Sequence, residues 1–168
     1  MLNTQSIRIS GITPESIVDG EGIRYVIFVQ GCPHHCVGCH NPSTHSFDGG
    51  KVVAIRDILI DIEKNSKYID GITLSGGEPF CQIDQCSIIA KKAQELGLTV
   101  WCYTGFSFEE LYGRSDALEL LQNLDVLVDG PFIWEERSLD LYFRGSRNQR
   151  IIDVRTSLKE GTTIIKKI

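Results

Sequence analysis

The apolar positions of this chain follow two alternating periods, and each change of period marks an element. Ile23–Val29 is a nearly unbroken apolar, β-branched run, the pattern of a strand buried on both faces. Past a loop rich in Cys, His and Pro the spacing becomes helical. Ile55, Ile58, Leu59 and Ile62 fall at i, i+3, i+4, i+7 and predict an amphipathic helix. Gly71–Ser75 reads as a short buried strand, and Ile88, Ile89, Ala93 and Leu96 stripe a second helix that Gly97 can close as a C-cap. Leu98–Tyr103 is a third strand. Ser107 with Glu110 carries a capping-box pattern that opens a short helix. A further helix is expected from about Asp116 to Gln122 with Ser115 as its cap, followed by strand Val126–Asp129. The rhythm weakens from Pro131 to Asn148. It returns as a strand at Arg150–Val154, and Thr162–Ile168 reads either as an edge strand or as a frayed tail.

Strand–helix–strand alternation predicts βαβ units and a parallel sheet. A closed eight-unit barrel takes ~250 residues, so a chain of 168 residues makes only part of one. The expectation is an α/β fold: one domain over residues 1–168, an open and partial barrel with a mainly parallel sheet of roughly five or six strands. The cysteine loop would then lie beyond the C-terminal end of the first strand.

Composition narrows the setting. A net charge of −5 gives no general attraction to nucleic acid or to an anionic membrane. No apolar run approaches the ~20 residues of a membrane helix. The N-terminus shows no basic region followed by an apolar core, so a cytoplasmic chain is expected. Of six cysteines, Cys32, Cys36 and Cys39 sit within eight residues, while Cys81, Cys86 and Cys102 are scattered. That unevenness favours a metal site plus three ordinary thiols over a disulfide framework.

The three clustered cysteines form C-P-H-H-C-V-G-C, a C-x3-C-x2-C spacing. Three thiolates so placed can each hold one iron of a cubane cluster and leave the fourth iron open. The alternative is a Cys3His zinc site completed by His34, His35 or His40. Gly76-Gly77-Glu78-Pro79 directly follows a strand, where ligand-binding loops of parallel sheets lie. Alone it could be only a turn. As a site, its carbonyls and amides could hydrogen-bond the ammonium and carboxylate of an amino acid.

These two motifs together resemble the radical S-adenosylmethionine (SAM) superfamily. The resemblance narrows with V-D-G-E-G-I-R (Val18–Arg24), C-P-H-H-C-V-G-C-H-N-P (Cys32–Pro42) and L-S-G-G-E-P (Leu74–Pro79). W-C-Y-T-G-F (Trp101–Phe106), D-V-L-V-D-G-P-F (Asp125–Phe132) and F-R-G-S-R-N-Q-R-I-I-D-V (Phe143–Val154) follow in order. Over roughly residues 15 to 155 the chain is similar to the activating proteins of anaerobic ribonucleoside-triphosphate reductases, glycyl-radical activases. That resemblance implies a [4Fe–4S] cluster on Cys32, Cys36 and Cys39. It implies SAM held by Gly38, Cys39 and His40 and by Gly76, Gly77 and Glu78. His40 stands where some relatives carry an aromatic residue. Reductive cleavage of SAM would give a 5′-deoxyadenosyl radical that takes hydrogen from a glycine of the partner reductase. A low-potential donor such as a flavodoxin would supply the electron.

Other residues carry weaker expectations. Thr104 and Gly105 are candidate nucleoside contacts. His34, His35 and His45 are loop residues, either of the first two in reach of a cluster sulfur. Arg144, Arg147 and Arg150 either form structural salt bridges or contact the reductase or the SAM carboxylate. Asp129 either binds a ligand or shapes its Asp-Gly-Pro turn. The competing functions are a radical SAM enzyme acting on a small molecule such as a purine precursor, and a zinc-binding module without catalysis.

Overall fold

The computed structural model describes residues 5–168. Its strands are β1 (Ser6–Ser16), β2 (Arg24–Val29), β3 (Lys51–Ala54), β4 (Gly71–Gly76), β5 (Thr99–Tyr103), β6 (Val126–Asp129) and β7 (Arg150–Asp153). The helices are α1 (Ile55–Asn65), α2 (Ile83–Glu95), α3 (Phe108–Tyr112), α4 (Leu118–Leu121) and α5 (Val154–Glu160). All strands join one open sheet in the order β3-β1-β2-β4-β5-β6-β7. The centre, β2-β4-β5-β6, is parallel. Antiparallel pairs flank it: β1 with β2 and β3 on one side, β7 with β6 on the other.

Strand alternation sorts the central residues onto two faces. Tyr25, Ile27 and Val29 of β2, Ile72 and Leu74 of β4, Val100 and Cys102 of β5, Leu127 of β6 and Ile152 of β7 point into one core. That core is closed by Ile55, Ile58 and Ile62 of α1 and by Ile89, Ala90 and Ala93 of α2. Each fully buried Ile or Leu there is worth roughly 1.5–3 kcal/mol. The intervening residues Trp101, Val126, Val128 and Ile151 form a second, smaller cluster on the other face, with Tyr103 and Phe143 against it. Arg24 shares this face. It is 1% exposed, its guanidinium lies 5.8 Å from the Trp101 ring centre, and it donates to the hydroxyls of Thr73 and Thr99 at 3.1 and 2.7 Å. Burial lowers its pKa to about 10.

The sequence-based expectations differ from the structure in three places, and a fourth is decided between its two alternatives. There are seven strands rather than five or six, because β1 and β3 extend the sheet beyond β2. Ser115 does not cap α4, which starts from Ala117 without a side-chain cap; an Arg114–Asp116 ion pair at 2.8 Å occupies the preceding turn. Val154 does not end β7 but opens α5, whose N-cap Asp153 accepts from the Thr156 amide at 2.9 Å. The C-terminal segment pairs through an Ile152–Ile165 bridge, so it lies along β7 rather than fraying. The expected capping box of α3 is present, with Ser107 and Glu110 bonding each other's backbone amides.

Arg150 fastens β7 to its neighbours. Its guanidinium donates to buried Asp129 at 3.0 Å and to Glu109 of α3 at 2.7 Å, while Asp129 also accepts from the Phe108 amide at 2.8 Å. The Arg150 hydrogen bond holds Glu109 down at about 2, from an ordinary 4.5. A depressed carboxylate stabilises the fold above its unfolded pKa and loses that contribution as pH falls through the folded one. Thermal stability should therefore drop more steeply between pH 4.5 and 2 for the wild type than for Glu109→Gln. Parallel melting curves for the two proteins would contradict this role.

Candidate active site

The C-terminal ends of the four parallel strands converge on one rim. From β2 the chain runs through Gly31 into the cysteine loop. The base of that loop is fixed by Gly31 N–H donating to Thr44 at 2.7 Å and Cys32 N–H donating to His45 at 3.1 Å. A turn closed by Cys39 N–H on the Cys36 carbonyl at 3.1 Å brings the last two cysteines together. The Asn41 amide donates to the Cys39 sulfur at 3.4 Å. Cys32 is buried, and burial raises its thiol pKa, with the Glu78 charge adding to the effect and a hydrogen bond from the His34 amide opposing it.

At the end of β4 the chain passes extremely close to β2. Gly77 N–H donates to Val29 at 2.7 Å and Glu78 N–H to Gly31 at 2.8 Å. A Cβ on Gly77 would sit 2.4 Å from the Gly31 carbonyl oxygen, and Gly76 has φ +90° with Phe28 backbone 2.7 Å from where its Cβ would be. Two glycines are therefore what this approach requires. The Gly77 amide is thus spent on Val29 at the end of β2 and the Glu78 amide on Gly31 just beyond it, which leaves the carbonyls of the two glycines as the groups of this motif that can face a ligand.

The Glu78 side chain turns inward. Wholly buried, its carboxylate accepts from the amides of Phe80 (3.0 Å) and Gly105 (2.9 Å), from the Thr104 hydroxyl (2.9 Å) and from His34 Nε2 (2.6 Å). Thr104 and Gly105 are thus committed to holding Glu78.

Cys32, Cys36 and Cys39 line a single cavity of about 120 Å³, with Gly76, Gly77, Thr104, Gly105 and Gly130 along its rim. His34, His45, Tyr103, Phe132 and Gln149 complete its wall. Tyr103 also borders an adjoining groove of about 310 Å³ that contains Val18, Asp19, His40, Phe143 and Arg144. His40 packs edge-on to Phe132 with ring centres 5.1 Å apart, and Gly38 lies where a Cβ would strike the Trp134 ring.

These donors fit an iron–sulfur cluster better than zinc. Three thiols line the cavity beside His34 and His45, and of these two imidazoles His34 is already bonded to Glu78. The histidines proposed to complete a zinc site are engaged elsewhere: His34 with Glu78, His35 against His45 at 5.3 Å, His40 against Phe132. A thiol-only set is the usual ligation of such clusters.

Of the remaining sequence candidates, Asp129 and Arg150 form the structural ion pair described above. Arg144 donates to the Gln149 carbonyl at 2.6 Å, and Arg147 is exposed. From the R-G-S-R-N-Q-R block it is Gln149 that reaches the cavity, its side chain also bonding Gly145 and Gly130. Cys86 and Cys102 are core thiols. Cys81 is exposed, with its pKa pushed up to about 11 by partial burial and the Glu78 charge. Sequence spacing gave no signal for the His34–Glu78 contact, which spans 44 residues.

Comparison with known proteins accords with this geometry. Residues 18–152 match the family described as "4Fe-4S single cluster domain". The anaerobic ribonucleoside-triphosphate reductase-activating protein of Haemophilus influenzae is 34% identical over 145 residues, 82% of this chain and 92% of that one. The protein of the same name from Vibrio cholerae is 36% identical over an equal span, again 82% and 92% of the two chains. The crystal structure of QueE from Escherichia coli superposes with a TM-score of 0.46 at 14% identity, over 74% of this chain and 70% of that one. The chain belongs to the 4Fe-4S single cluster domain family and, within it, to the anaerobic ribonucleoside-triphosphate reductase-activating proteins.

Proposed function

We propose that this chain, acting as one domain, is a radical SAM activase that raises a glycyl radical on an anaerobic ribonucleoside-triphosphate reductase. The observation that carries it is the meeting of three cysteine thiols and the Gly76–Gly77 backbone on one cavity at the ends of parallel strands. Cys32, Cys36 and Cys39 would hold three irons of a [4Fe–4S] cluster. Together, cluster and SAM supply one-electron chemistry: reductive cleavage of the sulfonium to methionine and a 5′-deoxyadenosyl radical, which takes hydrogen from a glycine α-carbon.

The protein's own part is placement. With the Gly77 amide bonded to Val29 and the Glu78 amide to Gly31, the two glycines offer carbonyls, which suit the ammonium of SAM. Glu78 supports that contact from beside it, since its carboxylate, its amide and its carbonyl, which accepts from the Cys81 amide at 2.9 Å, are all engaged within the fold. Gly38, Cys39 and His40 flank the cofactor from the cysteine loop. Phe132 and Tyr103 wall the cavity and keep water from a reactive intermediate. The sheet does not close on itself, and that open side suits a protein loop as substrate.

The electron donor in this reading is a low-potential protein such as a flavodoxin, and the reaction runs in the cytoplasm, where thiols stay reduced. No described helix is long and apolar enough to cross a membrane. The test is to reconstitute the protein anaerobically, add SAM, a reductant and the reductase, and record the electron paramagnetic resonance (EPR) spectrum. A glycyl doublet on the reductase is expected. SAM cleavage without any doublet on an authentic partner would contradict the activase reading.

A further inference from the structure

Three loops meet at Glu78, and only one of its partners comes from the cysteine loop. The Phe80 amide belongs to Glu78's own turn after β4, and Thr104 and Gly105 end β5, so these three fix the carboxylate to the sheet at 2.9–3.0 Å. The fourth partner is His34, midway between Cys32 and Cys36, whose Nε2 donates to the same carboxylate at 2.6 Å. The imidazole is mostly buried, at 16% exposure, with its edge toward Phe106 at 4.6 Å between ring centres. Gly105 leaves room for it: a Cβ there would stand 2.5 Å from the ring. His34 sits two residues from Cys32 and two from Cys36, so its side-chain bond to Glu78 links the ligand-bearing stretch of the loop to the glycine motif.

We propose that His34 is a positioning residue: anchored on Glu78, it sets the height of the cysteine loop over the Gly76–Gly77 backbone and thereby couples the cluster to the SAM subsite. The inference rests on the radical SAM reading of the site. A hydrogen bond to a buried carboxylate is among the stronger kinds in a protein. Without it the loop keeps its base contacts at Gly31 and Cys32, while the stretch carrying the ligands loses its fixed distance to β4.

The test separates the hydrogen bond from packing. His34→Gln keeps a donor near the Nε2 position, whereas His34→Leu fills similar space without one. Both proteins are reconstituted anaerobically; iron content, the melting temperature of the apo form and the EPR spectrum of the reduced cluster during SAM titration are measured. His34→Gln should follow the wild type. Measured well below both melting temperatures, His34→Leu should need about tenfold more SAM for the same spectral change, or hold less iron; its apo form should melt lower than that of His34→Gln because buried Glu78 loses a donor. Leucine and glutamine variants equal in iron and in SAM response would overturn the positioning role while leaving the function intact. So would a leucine defect that disappears when the titration is run well below the melting temperature of that variant. A wild type whose cluster spectrum ignores SAM would overturn both.

Discussion

Replacing Cys36 by alanine is expected to abolish SAM cleavage and to leave the fold standing. Cys36 lies half-exposed on the loop, outside the hydrophobic core, so its removal opens no internal cavity. What it removes is one of the three thiols on the cavity. Among the described residues no other cysteine lines that cavity to take its place. Reconstituted Cys36→Ala should hold much less iron and release no 5′-deoxyadenosine, with an apo melting temperature near that of the wild type. Cys86→Ala is the matched control. That thiol is fully buried between α2 and the sheet, so its loss should lower stability by about 1 kcal/mol and spare the chemistry. A Cys36→Ala protein that still cleaves SAM would contradict the cluster assignment.

Gly77→Ala should do the most damage of any single methyl group added at the rim. The new Cβ would lie 2.4 Å from the oxygen and 2.9 Å from the carbon of the Gly31 carbonyl. Both are backbone atoms, so relief comes only by moving the end of β4 away from β2. That movement strains or breaks the Gly77–Val29 and Glu78–Gly31 hydrogen bonds. The expected cost is roughly 2–3 kcal/mol of stability, with at least about a tenfold loss in SAM affinity. Gly97→Ala tests whether the effect belongs to the site. Gly97 has φ +78°, but a Cβ there would meet nothing within 4 Å, so the substitution should cost about 1 kcal/mol and leave SAM binding alone. Denaturant titration and SAM titration of the two variants read both quantities. Equal SAM affinity in Gly77→Ala and wild type would remove the glycine motif from the binding site.

The parts of this fold that were legible in the sequence are those with a strong burial signal. Ile23–Val29 and the helical stripe of Ile55, Ile58 and Ile62 could be read because each must fill the core, and they became β2 and α1. Strand β1 was hidden because Gly11 and Pro14 interrupt its apolar alternation. Its Ile7 and Ile9 are nonetheless buried, and the register shifts between Ile9 and Gly11 and between Thr13 and Ser16 absorb the interruption. Strand β3 is four residues long and mostly exposed, too short to show a period. The cysteines and glycines of the site could be read from local spacing. Their supports could not: His34 with Glu78, and Arg150 with Glu109, are contacts 44 and 41 residues apart that exist only after the strands align. For the same reason Asp129 and Arg150 read as possible ligands and proved to be each other's partners.

Whether three cysteines hold an iron–sulfur cluster with one corner open to SAM is decided by anaerobic reconstitution, metal analysis and incubation with SAM and a reductant. The protein should emerge brown, with about four iron atoms per chain, and release 5′-deoxyadenosine. A colourless protein holding one zinc and leaving SAM intact would contradict that cluster.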